Sequence, residues 1–122
     1  MTLVLLVDDD PLTLSLLTQA VKILGQESVT ANSGEEAIKA ATEYIPDLML
    51  LDMNLGDMDG VQVLNKLRGQ NKTADIPIII LTAGVGFNTA ELIEEVAPQA
   101  FLTKPVRLQT LLELIKKYSG ND

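Results

Sequence analysis

Leu3-Val4-Leu5-Leu6-Val7-Asp8-Asp9-Asp10-Pro11 is the stretch on which the fold turns. Five β-prone apolar residues follow one another without alternation. That pattern belongs to a strand covered on both faces, the situation of a parallel sheet with helices above and below. The run stops on three acids, and the last of them stands before a proline. Asp10 is therefore placed to cap a helix with Pro11 at its first position, where a missing N–H costs nothing.

The same arrangement recurs along the chain. Leu48-Met49-Leu50-Leu51 runs into Asp52, Ile78-Ile79-Ile80-Leu81 into Thr82, and Ala100-Phe101-Leu102-Thr103 into Lys104-Pro105. Between these runs the period changes from strand-like to helical. Thr2 to Val7 reads as a strand, Pro11 to about Leu24 as a helix closed by Gly25, and Glu27 to Ala31 as a short strand. Ser33 with Glu36 forms a capping box for a helix to about Tyr44. Asp47 to Leu51 is the third strand, and Asp59 caps a helix carrying Val61, Val63, Leu64 and Leu67. Ile76 to Leu81 is the fourth strand, with Pro77 near its start. Asn88 with Glu91 opens a helix to about Val96, Ala100 to Thr103 is the last strand, and Arg107 to Tyr118 the last helix, with Leu108, Leu111, Leu112 and Ile115 inward. Five strands alternating with five helices predict an α/β domain with a doubly wound parallel sheet. In the flavodoxin-like order 2-1-3-4-5 the first and third strands are neighbours, and ligands bind at the carboxyl edge.

Composition narrows the chemistry. The 122 residues suit one domain, and 47% hydrophobic residues with only 3% aromatic ones imply an aliphatic core. Without cysteine or histidine, neither a disulfide framework nor a thiolate or imidazole metal site is available. Any metal is held by oxygen, which means Mg²⁺, Ca²⁺ or Mn²⁺. A net charge of −8 argues against direct nucleic-acid binding and against anionic membranes. No apolar run approaches a membrane span and no signal peptide is seen, so a cytoplasmic location is expected.

The strand ends bring Asp8, Asp9, Asp52, Thr82 and Lys104 to one edge. Two carboxylates at ~4 Å repel by about 4 kcal/mol at an effective dielectric of 20. A divalent cation offsets this, and so in part does Lys104. The plainer alternative is that the acids only cap the first helix, which suits Asp10 best.

Taken together, these segments closely resemble the response-regulator receiver domain (CheY-like) of two-component phosphorelay signalling. The resemblance rests on Leu5 to Pro11, Leu50 to Leu55, Met58-Asp59-Gly60, Leu81-Thr82-Ala83 and Phe101 to Pro105, and it spans essentially the whole chain, residues 1–122. It implies that Asp52 is the phosphoacceptor, taking a phosphoryl group from a histidine kinase or a histidine phosphotransfer protein. Mg²⁺, or Mn²⁺ in its place, would be held by Asp9, Asp52 and the backbone carbonyl of Asn54, with Asp8 acting through a water. Lys104, Thr82 and the Ala83 N–H would bind phosphoryl oxygens, and Phe101 would turn inward as the face of the fourth helix, fifth strand and fifth helix changes. Asn54 and Gly84 would tune the lifetime of the phosphoryl group. Leu12 and Leu14 would dock the kinase. The domain would catalyse only its own phosphorylation and dephosphorylation, and would signal to a target protein or to an output domain not found in this chain.

Two other readings compete. A phosphorylation-independent module on this fold would have lost an acid, the threonine or the lysine, and this chain keeps all of them. A haloacid-dehalogenase-type phosphatase needs a second aspartate two residues past the first, where this chain has Asn54. Leu55-Gly56 and Ala97-Pro98 depart from the Met-Pro and Gly-Ala common at those places in the family.

Overall fold

The computed structural model describes residues 2–82 and 100–119. Within them lie five strands, β1 (Leu3–Val7), β2 (Glu27–Ala31), β3 (Leu48–Asp52), β4 (Ile78–Thr82) and β5 (Ala100–Thr103). Four helices accompany them: α1 (Pro11–Ile23), α2 (Gly34–Tyr44), α3 (Gly60–Arg68) and α4 (Leu108–Tyr118). The helix predicted over 88–96 lies outside the described residues. All strand pairs are parallel and the order is β2-β1-β3-β4-β5, as the alternation of periods implies.

Because successive side chains of a strand point to opposite faces, each unbroken apolar run feeds two cores at once. Leu5, Val7, Met49, Leu51, Ile78 and Ile80 pack with Ala37 and Ala41 of α2 and Val63, Leu64 and Leu67 of α3. Val4, Leu6, Leu48, Leu50, Ile79 and Leu81 pack with Leu17, Ala20 and Val21 of α1 and Leu111 and Ile115 of α4. This is why the runs cannot alternate: a polar residue at either phase would be buried.

The caps follow the sequence in most places. Asp10 accepts from Leu12 N and from Thr13 Oγ1, and Ser33 Oγ accepts from Glu36 N. Asp59 takes part in a reciprocal box with Gln62 that the sequence reading left incomplete. Gly25, at φ +72, sits just past the end of α1 in the left-handed region that favours glycine. Leu108 departs from expectation: it is 37% exposed rather than inward. Side chains of a helix lean toward its N-terminus, so a leucine on the first turn projects past the helix, while Leu111 and Ile115 land on the sheet. Thr73, placed in a polar connector by the sequence, is fully buried and donates to Leu67 O.

Candidate phosphoryl and cation site

Each strand end delivers its residue to one edge. Asp52 closes β3 in register with Leu81 of β4, and Thr82 closes β4 in register with Thr103 of β5. Asp8 follows β1 directly; its N–H donates to Ala31 O at 3.2 Å, and its Oδ1 accepts from Asp10 N at 2.9 Å. Asp8, Asp52 and Thr82 are buried, whereas Asp9 faces solvent. One oxygen from each of Asp8, Asp9 and Asp52 lies within 4.8 Å of the others.

Lys104 reaches this cluster from the far side. Its backbone N–H donates to Thr82 O at 2.8 Å, which fixes the residue beside β4, and the bond that follows, Lys104–Pro105, is cis. Its Nζ stands 2.9 Å from Asp8 Oδ2 and 3.4 Å from Asp52 Oδ1. Asn54 N donates to Asp52 Oδ1 at 3.4 Å. Burial and then the neighbouring Asp8 charge push the Asp52 carboxyl up to about 6, against the opposing pull of Lys104 and the Asn54 N–H. Partial burial pulls Lys104 down, but its hydrogen bond to Asp8 and the charges of Asp52 and Asp8 outweigh it, and the net shift is upward.

Three carboxylates against one ammonium leave a net negative pocket. The donor set is all oxygen, which suits a hard divalent cation, and the 4.8 Å clustering brings one oxygen of each acid close enough to share it. The residues therefore fit the ion that the composition pointed to.

The sequence predicts that Asp8, Asp9, Asp52, Thr82, Lys104 and the start of the loop at Asn54 come together, and the structure places all of them at this edge. Ala83 and Gly84 lie outside the described residues. Phe101 stands in β5 opposite Ile80; its side chain lies outside the description. Leu12 and Leu14 separate. Leu12 is 81% exposed, beside a groove of about 530 Å³ that it lines with Leu16, Pro105, Val106 and Lys104, while Leu14 packs against the core. One further residue went unread in the sequence. Asp57, in the loop after β3, accepts from Gly34 N at 2.9 Å and Glu35 N at 3.1 Å at the start of α2.

A doubly wound sheet whose carboxyl edge gathers three acids, a threonine and a lysine defines a class of α/β domain with an oxygen-lined edge that could hold a cation. Residues 4–116 match the response regulator receiver domain family, and the chain belongs to it. It is 31% identical over 118 residues to the polar-differentiation response regulator DivK of Brucella ovis, covering 97% of this chain and 96% of that one. The fold is also that of the chemotaxis response regulator CheY4 of Vibrio cholerae (TM-score 0.88, 27% identity, 97% and 98% coverage). It is likewise that of the receiver domain of the sensor histidine kinase PA1611 of Pseudomonas aeruginosa PAO1, solved with a magnesium ion coordinated in its active site cleft (TM-score 0.87, 25% identity, 98% of each chain). The chain is thus a receiver domain of two-component signalling. Among the described residues no helix is long and apolar enough to cross a membrane.

Proposed function

We propose that Asp52 accepts a phosphoryl group from a histidine kinase or histidine phosphotransfer protein in a Mg²⁺-dependent reaction. The observation that carries this is the convergence of Asp8, Asp9 and Asp52 within 4.8 Å, with Lys104 Nζ at 2.9 Å and 3.4 Å from two of them. Asp9, Asp52 and the carbonyl of Asn54 would hold the cation, with Asp8 acting through a water, and the ion would supply charge neutralisation and alignment for the transferring group. An Asp52 oxygen attacks phosphorus, the P–N bond of the donor phosphohistidine breaks, and an acyl phosphate forms on Asp52. No side-chain base is needed, since the ionised carboxylate is itself the nucleophile.

Lys104 already spans Asp8 and Asp52, so it needs little movement to pair with phosphoryl oxygens. Thr82 and the Ala83 N–H complete the oxygen contacts, and Thr82 with Phe101 carries the change to the face of the predicted 88–96 helix, β5 and α4. Output is by protein contact on that face, with a separate target or an output domain. Asn54 and Gly84 tune the lifetime of the phosphoryl group, and Leu12 docks the kinase with Leu14 packed behind it on the core. The test is intact mass after incubation with Mg²⁺ and acetyl phosphate, beside Asp52→Asn and an EDTA control. The expected result is a labile gain of one phosphoryl group, absent in both controls. A folded wild type that gains none, from acetyl phosphate or from a kinase, would identify a phosphorylation-independent module.

A further inference from the structure

We propose that Asp57 is a positioning residue for the cation site: it holds the loop that carries Asn54 onto the first turn of α2, and thereby couples the order of that turn to cation binding. The inference rests on the metal-site reading above.

The loop is fastened at two places. At its base, Gly60 N donates to Met53 O at 2.8 Å, and Asn54 and Asp59 form a bridge. A Cβ on Gly60 would stand 2.6 Å from Met53 Sδ and 3.1 Å from Met53 Cα, so any side chain there would push Met53 aside, and the closure favours glycine. At its tip, Gly56 takes φ +86, a conformation glycine adopts freely. The next residue, Asp57, then spends both carboxylate oxygens on α2, Oδ1 on Gly34 N and Oδ2 on Glu35 N. With Ser33 Oγ on Glu36 N, the first three amides of the helix are satisfied, two of them by a residue more than twenty positions away. These hydrogen bonds hold the exposed Asp57 carboxyl below its usual range. The surfaces also interlock. A methyl on Gly34 would lie 2.6 Å from Met58 Sδ and 3.2 Å from Val63 Cγ2, so Met58 occupies the space that any other residue at 34 would need.

Asn54 belongs to the base of the loop, bridged to Asp59, and stands three residues before the tip fastening at Asp57. With the tip free, the loop would sample arrangements in which the Asn54 carbonyl is not aimed at the cation. Apparent affinity falls by the fraction of molecules in the competent arrangement. Linkage is reciprocal, so cation binding must in turn steady the first turn of α2.

The test uses Mg²⁺ as the probe, with calorimetric titration of wild type, Asp57→Ala, Asp57→Asn and Gly34→Ala, and amide exchange by NMR. Asp57→Ala removes both acceptors. Gly34→Ala keeps every charge and displaces Met58. Asp57→Asn drops the charge but keeps one acceptor oxygen. Asp57→Ala and Gly34→Ala should each weaken Mg²⁺ binding about fivefold, the factor for a competent fraction near one fifth, with Asp57→Asn between them and wild type. Mg²⁺ should slow exchange of the Gly34 and Glu35 amides in wild type and leave it unchanged in Asp57→Ala, a response that a merely structural cap would not give. Equal affinities in all four proteins, with exchange at Gly34 and Glu35 indifferent to Mg²⁺, would overturn the coupling and leave the metal site standing. Loss in both Asp57 variants alike, with Gly34→Ala unaffected, would overturn it in favour of simple charge attraction. A wild type that binds no Mg²⁺ would overturn the metal site and this inference with it.

Discussion

Asp52 is held between opposing influences, and the balance is visible as a pH dependence. Burial and Asp8 raise its carboxyl to about 6, while in the unfolded chain it titrates near 3.8. Folding therefore favours the protonated form. The associated stability is fully present below about pH 3.8, and is lost as pH rises through 6. In metal-free buffer, the difference in unfolding free energy between wild type and Asp52→Asn should change across that window. At pH 7.5 the variant should be the more stable by about 3 kcal/mol, since the rise from 3.8 to about 6 spans roughly two pKa units and each corresponds to about 1.4 kcal/mol. Urea unfolding at pH 4 and pH 7.5 in EDTA measures it, and a constant difference would show that Asp52 does not titrate in this range. Lys104 works in the other direction on the same group. Lys104→Met should move the pH step upward from 6 and should also slow phosphorylation by acetyl phosphate. A step that stays in place would mean that the 3.4 Å contact carries little electrostatic weight.

At the scale of elements, α1 presents two leucines with different tasks. Leu12 stands exposed at the mouth of the groove, and Leu14 packs on the core behind it. Leu12→Asp should slow phosphotransfer from a kinase about tenfold or more, as loss of an apolar interface anchor does, and leave phosphorylation by acetyl phosphate unchanged. Leu14→Asp should cost stability as well, so its effect on the kinase is not cleanly separable. Equal loss with both donors in Leu12→Asp would place that residue in the site rather than at a docking surface. Helical phase could not choose between the two leucines, because the choice depends on where the chain after β5 returns. What was legible in the sequence follows one rule. A residue whose place is set by its own element, such as Asp8 after β1, Asp52 at the end of β3 or Asp10 before Pro11, can be read from periodicity and caps. Asp57 could not be read this way, because its partners lie 22 and 23 residues earlier, and a lone Asp in a loop reads as a turn residue. Arg68 is hidden for a related reason: its guanidinium donates to Ala74 O and Ile76 O at 2.8 Å and fixes the connector into β4, while in sequence it is one more surface charge near a helix end. Leu108 shows the converse failure, with the right phase but a position on the terminal turn.

For the molecule as a whole, the two cores hold the sheet as a rigid platform, and the acids at its edge work against it. Asp8 and Asp9 follow β1, Asp52 ends β3, and among the described residues only Lys104, beyond β5, sits among them as a counter-charge. A divalent cation would bridge the adjacent ends of β1 and β3, a set of ligands that does not exist in the unfolded chain, so binding adds directly to stability. At a thousandfold excess over the dissociation constant, this amounts to about 4.1 kcal/mol, or roughly 15 °C in melting temperature for a domain of this size. Asp52→Asn loses a charged ligand and should gain far less. The ranking of the two proteins should therefore invert: the variant melts higher in EDTA, where it is relieved of a buried charge, and the wild type melts higher in excess Mg²⁺. Thermal unfolding of both at pH 7.5 across a Mg²⁺ series checks this. If the variant gained as much as the wild type at every concentration, the cation would be bound away from Asp52, and the repulsion among the three acids would have to be met by Lys104 alone.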